Sequence, residues 1–207
     1  MKKILVFAAA AAFALVACNK ENPTVDGSGD KNNQQGVAGL VLNELSGADK
    51  FIELYNTTDK EISLEGCYLV KYDSSKEGGK STTWTGKAGM KIAAKGYVVL
   101  ESSDLADEAE GGDPNYAYES ANHVFKGGLS GKKNVFIELY SANGEKLSEF
   151  KRGDEGAGWN QVSGFNNDKK HTFSRVPNGT GNWAYADPTK GAANGAKVAE
   201  IEQAPEM

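Results

Sequence analysis

Cys18 is the residue whose surroundings point most directly to a reaction. It closes Leu15-Val16-Ala17-Cys18, in which an apolar residue and then small residues precede a cysteine, the arrangement of a lipobox. A cysteine is required there because its thiolate is nucleophilic enough near neutral pH to take a diacylglyceryl group. What precedes it agrees: Met1-Lys2-Lys3 is a basic head and Ile4 to Val16 an uncharged apolar run, too short for a permanent span and laid out as a secretory signal peptide. Residues 1–17 are therefore expected to be removed and Cys18 to carry lipid. At about 0.8 kcal/mol per buried CH₂, the two or three chains of such an anchor hold firmly where one alone would be marginal.

The other reactive-looking groups do not assemble into a known chemistry. Gly79-Lys80-Ser81 imitates the end of a phosphate loop, but Ser74 stands where its first glycine is needed. Gly128-Leu129-Ser130 starts like a nucleophile elbow and fails at Lys132. His123 and His171 lack the partners at ligand spacing that a transition metal needs. Asp104, Asp107, Glu108, Glu110 and Asp113 form a carboxylate cluster whose hard oxygens suit Ca²⁺. The alternating spacing of a calcium loop is absent, however, so a solvated acidic loop is the favoured reading. No catalytic residue and no cofactor is expected.

Candidate binding residues are aromatic or cationic. Trp84, Trp159 and Trp183 stand in loop-like context beside Thr, Asn or Gly; such indoles serve glycan or protein contacts or, more often, the rim of a core. Arg175 precedes the turn residues Pro177-Asn178-Gly179 and suits a clamp on turn carbonyls better than a ligand carboxylate. With Cys18 acylated, Cys67 is the remaining thiol of the chain. Its neighbours Leu64, Tyr68, Leu69 and Val70 are core types, which predicts burial.

These residues must be positioned by a short-strand fold. Residues 18–36 are rich in Asn, Gln, Gly, Ser and Asp and cannot bury enough surface to offset ordering, so a flexible linker is expected. Residues 37–195 carry short apolar runs bounded by Gly, Asn and Asp, the pattern of one all-β sandwich or barrel. Strands are expected at 38–44, 51–56, 66–73, 97–101, 134–141, 146–151 and 172–176, with an Asn143-Gly144 hairpin. Phe-Ile-Glu-Leu-Tyr occurs at 51–55 and again at 136–140. In each copy Ile and Leu share one face and Phe, Glu and Tyr the other. Residues 196–207 are expected to fray.

Leu42-Asn43-Glu44-Leu45, Phe51 to Asn56, Ile62 to Leu69, Ile92 to Leu100, Ser174 to Gly179 and Gly191-Ala192-Ala193-Asn194, in this order and spacing, resemble the lamin-tail domain family across nearly all of residues 37–194. The resemblance implies an immunoglobulin-like β-sandwich that acts as an interaction module without catalytic machinery, found in bacteria in secreted or surface proteins and often beside hydrolase domains. Cys67 stands where the family usually has Trp and Lys190 where it usually has Pro; the acidic stretch 102–123 is an insertion.

Removing Lys2 and Lys3 leaves 21 basic against 28 acidic residues, a mature net charge of −7, which disfavours nucleic acid as a partner. Asn19, where an inner-membrane lipoprotein would carry Asp, favours the outer membrane, and Lys20-Glu21 leaves surface display open. The expected function is a noncatalytic, lipid-anchored cell-envelope module contacting protein or glycan through its loops. The alternative is a structural or accessory subunit of a surface complex with a secreted hydrolase; a hydrolase in its own right is the least supported. Oligomeric state is not legible.

Overall fold

The computed structural model describes residues 38–72, 79–108, 112, 116–129, 135–152 and 171–200, all within the unit that spans Gln34–Met207. The expected signal peptide, Cys18 and linker lie outside the described residues, as do Trp159, Glu110 and Asp113.

In chain order the strands are β1 (Leu40–Ser46), β2 (Phe51–Asn56), β3 (Ile62–Ser63), β4 (Tyr68–Tyr72), β5 (Lys80–Thr85), β6 (Lys91–Ile92) and β7 (Tyr97–Ser102). A short helix α1 (Asp104–Glu108) and a 3₁₀ turn (Ala121–His123) follow. Then come β8 (Val124–Phe125), β9 (Val135–Tyr140), β10 (Lys146–Arg152), β11 (Thr172–Val176), β12 (Asn182–Ala186) and β13 (Lys197–Glu200). Seven strands form one sheet in the order β13-β12-β11-β1-β2-β7-β8; four form a second, β10-β9-β4-β5; β3 and β6 make a small ribbon. All neighbours are antiparallel except β7 and β8.

Alternation along the strands builds the core between the two large sheets. Val135, Ile137 and Leu139 of β9 meet Ile52 and Leu54 of β2, Leu100 of β7 and Phe173 of β11 in one buried cluster, because every second side chain of a strand points to the same face. Phe150 of β10 stacks on Phe173 at 5.1 Å and takes Trp183 edge-on at 4.8 Å, so aromatic contacts join the two sheets. The fold is an all-β, immunoglobulin-like sandwich. Gly144, at φ +82°, lets the β9–β10 hairpin turn at Asn143-Gly144 through its N–H to the Ser141 carbonyl.

Three expectations on local structure change. Trp84 and Trp183 are not in loops: they lie in β5 and β12, at 4 % and 7 % exposure. Their indole N–H groups donate to the carbonyls of Asn122 and Glu149, so the Thr and Asn flanks that read as loop are strand residues on the opposite face. Residues 104–108 form α1 and not a loop, with Asp104 and Asp107 in its first turn, where the helix dipole favours negative charge. The expected fraying after 196 is interrupted by β13, which pairs with β12.

Cys67 is fully buried, and desolvation pushes its thiol pKa above the usual value. In a Cys18→Ser chain, a thiol reagent should leave Cys67 unlabelled in native buffer and modify it fully in denaturing urea, as intact mass would show; rapid native labelling would contradict the packing.

Candidate functional site

Among the described residues a dense polar cluster sits on the outer face of the seven-stranded sheet, and a bulge creates it. Leu42 and Leu45 both enter the core, which a regular strand forbids for residues three apart. The register between β1 and β2 shifts between Leu42 and Glu44, so Asn43 and Glu44 are both turned away from the core. Across the ladder Glu44 is opposite Glu53 of β2. All three side chains are buried, at 0 % exposure.

What buries them is the segment 187–194, a strap leading from β12 toward β13. Thr189 donates its backbone N–H to Glu44 Oε1 at 3.0 Å, and its hydroxyl, shared with Asn194 Oδ1, reaches Glu44 Oε2 at 2.9 Å. Thr172 of β11 adds a third donor to Glu44 at 2.7 Å. Glu53 accepts from Asn43 Nδ2 and from the Gly191 backbone N–H, each at 2.7 Å. Lys190 spans Glu101 and Glu119 at 3.1 and 2.9 Å. Asn194 Nδ2 donates to the carbonyls of Asn43 and Arg175. No residue of the strap is itself buried, so polar bonds hold it in place.

The β11–β12 turn completes the network. Asn43 Oδ1 accepts from the Gly179 N–H, and Asn178 Oδ1 accepts from Asn43 Nδ2 and the Asn194 N–H, while Asn178 Nδ2 donates to the Tyr97 hydroxyl. Gly179 has φ +72°, and a Cβ there would lie 2.5 Å from the Tyr55 ring; only glycine brings this turn so close. Arg175 donates from Nε to the Leu42 carbonyl and from a terminal nitrogen to the Gly181 carbonyl, with its guanidinium 4.6 Å over the Trp183 ring. It grips backbone, and burial pushes its pKa below the usual value.

Glu53 carries the largest electrostatic consequence. Burial raises its pKa from 4.5 to about 7, opposed by the bonds from Asn43 and Gly191 and assisted by the neighbouring Glu44. Burial likewise lowers His123, against the pull of Glu101 and Glu119. Two carboxylates opposed across a ladder could in principle divide acid and base roles. Here their oxygens accept from the sandwich's own side chains and strap.

A second carboxylate, Glu138 of β9, lies on the outer face of the four-stranded sheet at 4 % exposure. It accepts from Tyr140 Oη at 2.9 Å and meets Lys80 and Lys146 at 3.4 and 3.5 Å.

The network does not include most residues expected from sequence. Arg175 meets it only through its backbone carbonyl, its side chain lying on the opposite face over Trp183 and beside Ser148 of β10; Trp84 and Trp183 belong to the core; Asp104 and Asp107 stand on α1, and the side chain of Glu108 is not described. Among the described residues no three His, Cys, Asp or Glu side chains gather as metal ligands. Asn43, Glu44, Glu53, Thr189 and Asn194 were missed. The signal is a carboxylate inside each of two consecutive, otherwise largely apolar strands.

Two outcomes test the network. Asn43→Ala leaves Glu53 Oε1 and the Gly179 N–H without their donor and acceptor, and should cost about 2–4 kcal/mol in urea unfolding. Glu53, whose folded pKa lies above its unfolded value, adds stability that is complete below about pH 4.5 and is lost as pH rises through about 7. The stability of wild type minus that of Glu53→Gln should therefore fall between these limits, by at most about 1.4 kcal/mol per pH unit, and level off above; a rising difference would refute the assignment.

A comparison with curated proteins finds none that matches the chain. A family model described as Lamin Tail Domain matches residues 25–154. The match takes in β1 to β10, including both Glu-bearing strands of the network, and ends before β11 to β13, which complete the larger sheet. With more than half its length matched and the sandwich that the resemblance implied, the chain belongs to the lamin tail domain family.

Proposed function

We propose that the chain is a noncatalytic, lipid-anchored module of the cell envelope that holds a protein or glycan partner. The observation that carries the reading is how its acid–base groups are used. Glu44 and Glu53, which would be candidates for proton transfer, accept hydrogen bonds from Thr172, Thr189, Asn43 and Gly191, and so serve to fix the sheet surface. A scaffold fixed in this way presents its loops at low entropic cost, which favours binding. The Leu15-Val16-Ala17-Cys18 sequence supports the anchor, and Asn19 after it supports the outer membrane. Residues 18–36, with their polar composition, suit a tether between lipid and sandwich.

The anchor and the binding role are tested separately. In cells fed an alkyne fatty acid, the chain should incorporate the label, sediment with outer membrane and lose both properties in Cys18→Ser. Purified chain on a glycan array, and in cross-linking on intact cells, should select a defined glycan or protein. Turnover of a glycan substrate by the purified chain would overturn the noncatalytic reading.

A further inference from the structure

We propose that the strap 187–194 is a proton-sensitive latch, which closes over Glu44 and Glu53 in acid and opens independently of the sandwich as pH rises toward neutrality. Two geometric facts carry this. The strap contributes no buried residue and is tied down by hydrogen bonds from Thr189, Gly191 and Asn194 and by the Lys190 ion pairs. Segments with little buried apolar area are the ones that open first. Beneath it, three carboxylates share one face: Glu44 opposite Glu53, and Glu101 two positions beyond Val99, the β7 partner of Glu53. Two of them receive only neutral donors from the described groups: Glu44 from Thr172 and Thr189, Glu53 from Asn43 and Gly191.

Opening the strap readmits water to Glu53, and the burial that raises its pKa to about 7 is relieved. The closed form thus holds a Glu53 proton more tightly than the open form. Raising pH across the interval from 4.5 to about 7 must shift the equilibrium toward opening, by up to about 300-fold in total. Among the described residues, the charged and titratable groups around Glu53 are Glu44 on β1, Tyr97 and Glu101 on β7, and Lys190 on the strap, which also reaches Glu119. His171, just before β11, stands 3.6 Å from Asp187 at the start of the strap. Release would bare an acidic strip on the outer face of the sheet.

Native-state amide exchange of the full chain, followed by NMR from pH 4.5 to 8 and divided by intrinsic rates, tests the latch. The Thr189, Gly191 and Asn194 amides should lose protection tenfold or more between pH 5 and 7, then level off. Small additions of urea should leave these amides unchanged while accelerating Leu54 of β2, which exchanges by global unfolding. Glu53→Gln should abolish the loss of strap protection as pH rises. Lys190→Met, at an exposed position, should lower strap protection at every pH while keeping the dependence. Strap protection that is flat with pH in wild type, that follows Leu54 in urea, or whose pH dependence disappears in Lys190→Met, would overturn the proposal.

Discussion

The structure turns on the burial of Glu44 and Glu53 side by side on the outer face of a sheet. Two carboxylates cannot be taken out of water unless their lone pairs are met, and the β1–β2 ladder offers only Asn43. The remaining donors come from residues 172, 189 and 191, more than a hundred positions further along the chain. Satisfying this pair therefore fixes where β11 lies, how far the β11–β12 turn approaches and which way the chain runs after β12. Gly179 against Tyr55, Asn178 on Tyr97 and Asn194 on the Asn43 carbonyl are consequences of the same demand. The bulge in β1 is its origin, because without an extra residue there Asn43 and Glu44 could not share a face while Leu42 and Leu45 stay in the core.

The repeated pentapeptide shows how one strand sequence is put to two uses. In both copies Ile and Leu face the core and Tyr stacks on a cross-strand tyrosine, Tyr55 on Tyr97 at 4.9 Å and Tyr140 on Tyr68 at 5.0 Å. The glutamates diverge. Glu138 sits between Lys80 and Lys146 and keeps its charge partners at the surface; Glu53 lies under backbone and amide donors and is pushed toward neutrality. Local sequence determines which face the carboxylate takes, and tertiary neighbours determine its protonation.

Much of the fold was legible because it depends on that alternation. The expected bounds of the strands at 51–56 and 172–176 coincide with β2 and β11, and the Asn143-Gly144 hairpin forms where its turn chemistry requires. β5 and β12 were not foreseen. Lys80-Ser-Thr-Thr-Trp-Thr and Asn182-Trp-Ala-Tyr-Ala are flanked by glycine and alternate small or polar residues with a single large indole, so each strand buries its Trp on one face while its composition reads as loop. That is also why Trp84 and Trp183 read as residues in loop context. The polar network was hidden for a different reason. Asn43-Glu44 and Phe51 to Asn56 lie within the family match and Gly191 to Asn194 beyond it, but which of them meet depends on a bulge and a positive-φ turn that no single-strand pattern announces.

An apolar patch in place of this network would bury the same sheet face with less electrostatic cost, since buried charged groups are weak sources of net stability. What the polar solution adds is discrimination among arrangements. A hydrophobic strap could slide by a residue and lose little; a strap whose Thr189, Gly191 and Asn194 must each meet a particular oxygen has one register. It also has a definite alternative, because few apolar contacts oppose its release and water can replace every bond it makes. The sandwich thus combines a core that has one packing with a surface segment poised between two hydration states, and the proton on Glu53 is the quantity that differs between them.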